Sequence, residues 1–144
     1  MKFKFIKLSD PYYKSARMLR WEALEKPMGI PPEVVLSPED NSNIQLVALE
    51  KDHIVGCVLC HPQSEKEGKV FDFVLSKEGK GLGRQMMIKL EEFLQRRGLS
   101  HLYVIAKEDL CEMYSHLGYS REGESFEEYG VLYQKMGKYF SPSS

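Results

Sequence analysis

The chain has 144 residues, which fits one domain of ordinary size and is long enough to bury a core without metal or disulfide support. A hydrophobic fraction of 42% with 28% charged residues reads as globular, and 20 basic against 21 acidic residues leave a formal net charge of −1. That balance excludes a nucleic-acid or membrane partner held mainly by bulk charge.

Met1-Lys2-Phe3-Lys4-Phe5 is too short and too charged for an export signal, and no apolar run approaches a membrane span, so the expected compartment is the cytoplasm. Lys2 to Leu8 alternates apolar and basic residues and predicts a first strand. Ser9-Asp10-Pro11 predicts a helix start, with a capping side chain ahead of a proline whose missing N–H costs nothing there. That helix is expected to run through Ala16, Leu19, Arg20 and Leu24 and to stop before Pro27. Lys26 to Asn43 is rich in Pro, Gly, Asp and Asn and reads as a long loop with room for a short helical turn.

Ile44–Glu50 and Ile54–Cys60 predict two strands joined by a hairpin at Lys51-Asp52-His53. Cys57-Val58-Leu59-Cys60-His61 matches the haem-attachment pattern, but its apolar, β-branched setting argues for a buried strand with reduced cysteines. Pro62 to Lys69 reads as a polar turn and Val70–Leu75 as a fourth strand. A helix follows from Leu82, with Met86, Leu90, Phe93 and Leu94 at helical spacing, Lys89, Glu91, Glu92 and Arg96 opposite, and Gly98 as its C-cap. Leu102–Ala106 predicts a fifth strand. Asp109 is expected to cap a helix whose Leu110, Met113, Tyr114 and Leu117 share a face, ended by Gly118. Tyr119–Glu124 and Val131–Tyr139 predict the last strands, and residues 141–144 a frayed tail. The order predicts an α/β fold of the mixed α+β kind over residues 1–140, a mixed central sheet of about six to seven strands with helices on both faces.

The segment of most interest is Val70-Phe71-Asp72-Phe73-Val74-Leu75 followed by Ser76-Lys77-Glu78-Gly79-Lys80-Gly81-Leu82-Gly83-Arg84. A strand breaks into a glycine-rich turn and a helix begins at once. Glycine permits φ > 0 and close backbone approach, and a helix start offers unpaired N–H groups and partial positive charge. Together they suit a phosphate or pyrophosphate. No Lys-Ser or Lys-Thr follows the glycines, which excludes a Walker loop, and Met86 stands where a dinucleotide fingerprint needs glycine.

This order, with the glycine turn after the fourth strand, resembles the GNAT superfamily of N-acetyltransferases. Gly81-Leu82-Gly83 is similar to the second half of that family's Arg/Gln-x-x-Gly-x-Gly/Ala loop. Ala106 through Met113-Tyr114-Ser115-His116-Leu117-Gly118-Tyr119 is similar to its Ala…Phe-Tyr-x-x-x-Gly-Phe/Tyr signature. Gly123-Glu124-Ser125-Phe126-Glu127-Glu128-Tyr129-Gly130-Val131-Leu132-Tyr133 resembles the Gly-Glu-x-Phe-x-Glu-x-Gly-Ile-Pro-His ending of a small bacterial subgroup, as Leu19-Arg20 and Lys26-Pro27-Met28-Gly29 resemble its front half. The resemblance departs at Glu78, where the family has Arg or Gln, and at Leu132-Tyr133, where the subgroup has Pro-His.

The resemblance implies acetyl-CoA as co-substrate, with no metal. It places the CoA pyrophosphate on Glu78, Gly79, Lys80, Gly81, Leu82, Gly83 and Arg84, and a backbone N–H around Val74 or Leu75 on the thioester oxygen. Tyr114 matches the family tyrosine that protonates the departing thiolate. Asp72 and Glu128 are candidates for the base, with Glu127 beside them. Arg20, Glu127 and Tyr133 are candidates for contact with the acceptor, a small-molecule or amino-acid-like amine. Arg20 also suits a pairing with an acid of its own chain. A homodimer is compatible with this reading. The four histidines are scattered and read as structural. The alternative is a non-catalytic acyl-CoA-binding or sensing domain of the same fold, and a weaker one a partner-binding protein with a decayed phosphate socket.

Overall fold

The computed structural model describes residues 1–31, 38–76 and 81–141. They belong to two compact units, Met1–His61 with Asp72–Leu90, and Pro62–Phe71 with Glu91–Ser144.

In the first unit, strand β1 (Lys2–Ile6) pairs antiparallel with β2 (Ile44–Glu50), and β2 with β3 (His53–Pro62), so that Val47 lies opposite both Lys4 and Cys57. The β2–β3 turn is two residues long. Lys51 and Asp52 both take positive φ, +50° and +65°, the geometry that matches the strands' twist. Strand β4 (Glu67–Leu75) enters this unit at Asp72 and leads towards helix α2 (Leu82–Arg96). On one side Ile6, Tyr13, Ala16, Val47, Leu49, Cys57 and Val74 form a core under helix α1 (Tyr13–Arg20). Gly56, adjacent to Cys57 and therefore on the opposite face, lies under α2. A Cβ there would stand 2.9 Å from Met86 Sδ and 3.0 Å from Leu75 Cδ2. Helices thus cover both faces of these strands, as the element order predicts.

The start of α1 differs from expectation. Asp10 Oδ1 accepts the Tyr12 N–H at 2.8 Å, so its carboxylate closes the turn before the helix, and α1 begins at Tyr13 with no side-chain cap. Beyond Arg20 the backbone widens into a π-helical turn, Trp21–Glu25, then tightens into a 3₁₀ turn, Lys26–Met28, ended by Gly29 at φ +78°. A second 3₁₀ turn, Pro38–Ser42, precedes β2, so the expected loop carries helical turns at both its described ends.

In the second unit, β4 starts at Glu67, three residues earlier than predicted, and runs parallel to β5 (His101–Lys107) with Glu67 opposite His101 and Lys69 opposite Tyr103. Strand β5 pairs antiparallel with β8 (Val131–Tyr139) along its whole length. The other edge of β8 carries both β6 (Ser120–Arg121), shorter than predicted, and β7 (Phe126–Glu128), which the sequence reading left as loop. With β7 the described strands number eight.

Helix α3 (Cys111–His116) also corrects the reading. A 3₁₀ turn, Glu108–Leu110, precedes it and contains Asp109, so Asp109 is not the cap. Three residues per turn shift the helical phase. Cys111 and Tyr114 are therefore buried while Leu110 and Met113 are exposed. On α2, Glu91 is buried rather than solvated, accepting the Tyr119 hydroxyl at 2.9 Å and Lys138 Nζ at 2.8 Å. All three cysteines are free and buried. No helix among the described residues is long and apolar enough to cross a membrane.

Candidate active site

The two described glycines of the expected phosphate loop have different physical reasons to be glycine. Gly81 holds φ +70°, and a Cβ there would meet nothing within 4 Å. Its backbone faces open space immediately before α2. Gly83 has no left-handed conformation. A Cβ there would lie 3.3 Å from both Leu75 Cδ1 and Phe73 Cζ, so its role is to let the first turn of α2 approach β4 closely. Gly83 thus has a packing role in addition to its place in the expected phosphate loop. The first turn of α2 carries no acid, Leu82 is buried and Arg84 is exposed. Glu78, Gly79 and Lys80 lie outside the described residues.

Upstream, β4 is not regular. Gln63 N–H donates to Glu67 O at 2.8 Å and Ser76 N–H to Val55 O at 3.0 Å. Ser64 N–H shares the same Glu67 oxygen at 3.2 Å. Asp72 is the β4 residue in the left-handed region, at φ +48°. Downstream of it, successive amides alternate edges. The Ser76 amide faces β3, so the Val74 amide does too, and it bears on the Cys57 thiol. The Leu75 amide therefore points away from β3. Val74 has its amide on β3 and its side chain in the core under α1, and the Leu75 amide lies on the opposite edge of β4.

The Asp72 side chain meets α1. Its Oδ2 accepts Arg20 Nε at 3.0 Å, while Arg20 Nη1 donates to Asp40 Oδ2 at 2.8 Å. Asp40 also accepts the Tyr13 hydroxyl at 2.5 Å and Asn43 Nδ2 at 3.1 Å. Burial alone would raise the Asp40 carboxyl, but hydrogen bonds from Arg20 and Tyr13 and the Arg20 charge outweigh it and hold it below the usual carboxylate range. Arg20 is 4% exposed. Its guanidinium serves two acids of its own chain, which corrects its assignment to the acceptor, and Asp72 has an oxygen committed to Arg20 rather than open as a base. Asp40 and Tyr13 were missed. A single Asp within a Pro/Gly-rich loop gives no signal of a partner 20 residues earlier.

In the second unit, Tyr114 is buried on α3 in edge contact with Tyr119, ring centroids 6.1 Å apart. Burial pushes its hydroxyl up to about 12. Glu127 and Glu128 are exposed on β7, where Glu127 lies opposite Leu132 and Glu128 opposite Val131. Tyr133 on β8 faces Phe126, their rings stacked at 5.9 Å. The turn between, Tyr129-Gly130, has φ of +50° and +78° and leaves Tyr129 fully exposed. Among the described residues no group of three His, Cys, Asp or Glu side chains is arranged to hold a metal ion.

The mixed α/β fold is the one the motifs anticipate. Residues 31–140 match the acetyltransferase (GNAT) domain family, and the chain belongs to that family and to its enzyme class, the N-acetyltransferases. Its fold is similar to that of an aminoglycoside 6′-N-acetyltransferase solved in complex with coenzyme A, with a TM-score of 0.84 at 16% identity over 100% of this chain and 99% of that one. It is also similar to an N-acetyltransferase structure from Lactobacillus plantarum, with a TM-score of 0.80 at 22% identity over 96% and 99% of the two chains. A third similar fold is the aminoglycoside 6′-N-acetyltransferase from Enterococcus faecium, with a TM-score of 0.80 at 17% identity over 100% and 99%.

Proposed function

We propose that this chain transfers an acetyl group from acetyl-CoA directly to the amine of a small molecule. The observation that carries the reading is the start of α2 in a chain of this family. Gly81 is left-handed, has open space where a side chain would stand, and leads into a first turn free of acids. Those features fit a pyrophosphate, which needs unpaired N–H groups at close range and no opposing charge. Gly81, Leu82, Gly83 and Arg84 hold it, with Glu78, Gly79 and Lys80 completing the loop by resemblance.

Acetyl-CoA supplies the activated thioester. The Leu75 N–H donates to the thioester oxygen and stabilises the charge that develops there. The acceptor nitrogen bonds to the carbonyl carbon, the carbon–sulfur bond breaks, and the Tyr114 hydroxyl delivers its proton to the leaving sulfur. Burial keeps that hydroxyl protonated throughout the physiological range. By resemblance, Glu128 takes the proton lost by the amine and Glu127 and Tyr133 contact the acceptor. Two of the similar folds belong to aminoglycoside acetyltransferases, which supports a small amine as acceptor.

The test is release of free CoA thiol from acetyl-CoA across a panel of small amines. An amine-dependent release is expected, falling roughly 10²-fold in Tyr114→Phe with CoA affinity unchanged. No pH dependence from this group is expected between pH 6 and 9, because its ionisation lies near 12. Acetyl-CoA binding without thiol release for any amine indicates the sensing domain instead.

A further inference from the structure

The mechanism above uses the Leu75 amide but leaves unexplained why a strand should place it. Three observations converge on Arg20. First, Asp72 occupies a left-handed conformation, φ +48°, in mid-strand, where a non-glycine residue is uncommon and strained. Second, Ser76 N–H donates to Val55 O four residues on, so the backbone turn at Asp72 sets the phase of the amides between them, Leu75 included. Third, its carboxylate is held by the Nε of a guanidinium that is itself fixed through Nη1 by Asp40, an acid that accepts three donors. Arg20 stands where α1 changes to a π-helical turn, a feature that often marks a functional position.

We infer that Arg20 is a positioning residue: by pairing with Asp72 it pins the left-handed residue of β4 and so fixes the edge to which the Leu75 amide points. The inference rests on the reading that this amide meets the thioester oxygen. It gives Asp72 a conformational role, distinct from proton transfer, and makes a specific demand. What matters at residue 72 is tolerance of positive φ together with the tie to Arg20. Glycine populates that region at no steric cost, whereas alanine does not.

The probe is acetyl-CoA labelled with ¹³C at the thioester carbonyl, its infrared band recorded free and bound. In the wild type the band moves to lower frequency on binding, as for a carbonyl that accepts a hydrogen bond. Arg20→Met and Asp72→Ala lose most of that displacement while still binding acetyl-CoA. Asp72→Gly, which lacks the same carboxylate, keeps most of it. Turnover follows the band, with kcat down on the order of tenfold in the first two variants at unchanged KM for acetyl-CoA. Folded Arg20→Met with the wild-type band, or equal behaviour of Asp72→Ala and Asp72→Gly, overturns the inference. If Arg20→Met does not fold, the two Asp72 variants alone decide it by the same criterion. A wild type that binds acetyl-CoA without displacing the band overturns the amide's role and this inference together. One that does not bind at all overturns the proposed function itself.

Discussion

Two ionic clusters anchor β4, five residues apart, and they are built differently. At Asp72 the strand carries a left-handed residue whose side chain is 29% exposed, and its partner is a buried guanidinium shared with Asp40, whose side chain is only 2% exposed. At Glu67 the strand is regular and paired with β5. There His101 lies between two carboxylates, Nδ1 2.8 Å from Glu67 and Nε2 2.9 Å from Glu122, with Tyr139 stacked on its ring at 4.2 Å. Those carboxylates reach solvent, with side-chain exposures of 37% and 22%. Water can replace a lost partner at Glu67, Glu122 or Asp72 and cannot at Asp40. Enclosure is therefore concentrated at Asp40, one pairing removed from β4.

The sharpest break in the comparison is Asp40→Ala. It leaves Arg20 with a buried, half-paired charge and Tyr13 and Asn43 without their acceptor, and the expected cost is about 3–5 kcal/mol by chemical denaturation. A loss below about 1 kcal/mol would show that water reaches this cluster as freely as the other. The same enclosure gives a pH signature. The folded-state Asp40 carboxyl is depressed, so its contribution is present above the ordinary aspartate range and is lost as pH falls below about 4. Stability of the wild type should decline there, and the decline should be shallower in Asp40→Asn. Equal acid slopes in the two proteins would remove Asp40 from the cause. The smallest effect is expected from Glu67→Gln, about 1 kcal/mol or less and weaker at high salt, because the Glu67 carboxylate itself faces solvent. A larger, salt-insensitive loss would make the two clusters alike.

Much of this arrangement was legible in the sequence. Alternation marked β1, an apolar β-branched run marked β3, and the Leu82–Gly98 pattern marked α2 to within a residue. Strand β7 was missed although Tyr129-Gly130 ahead of an apolar run is a hairpin signal; the polar Glu127-Glu128 run masked it. The face of α3 was misjudged because a 3₁₀ lead-in changes the phase, and nothing local to Glu108–Leu110 announces it. The left-handed position in β4 left one trace, an aspartate inside a β-prone run, where Asp is disfavoured but tolerates positive φ better than most residues. Its tie to Arg20 spans 52 residues, a distance over which local pattern carries no information.

The central claim is that the opening of α2 binds the pyrophosphate of CoA through its backbone. Gly81 is the residue to change, since Gly83 also packs against Phe73 and Leu75. Aspartate tolerates the left-handed conformation better than most residues, so Gly81→Asp adds a negative charge at a strain of about 1 kcal/mol or somewhat more. Calorimetric titration with CoA should give a single site in the wild type and a loss of roughly 100-fold or more in the folded variant, as expected for an anion set against an anion site. Equal affinity in a folded Gly81→Asp protein would contradict the account.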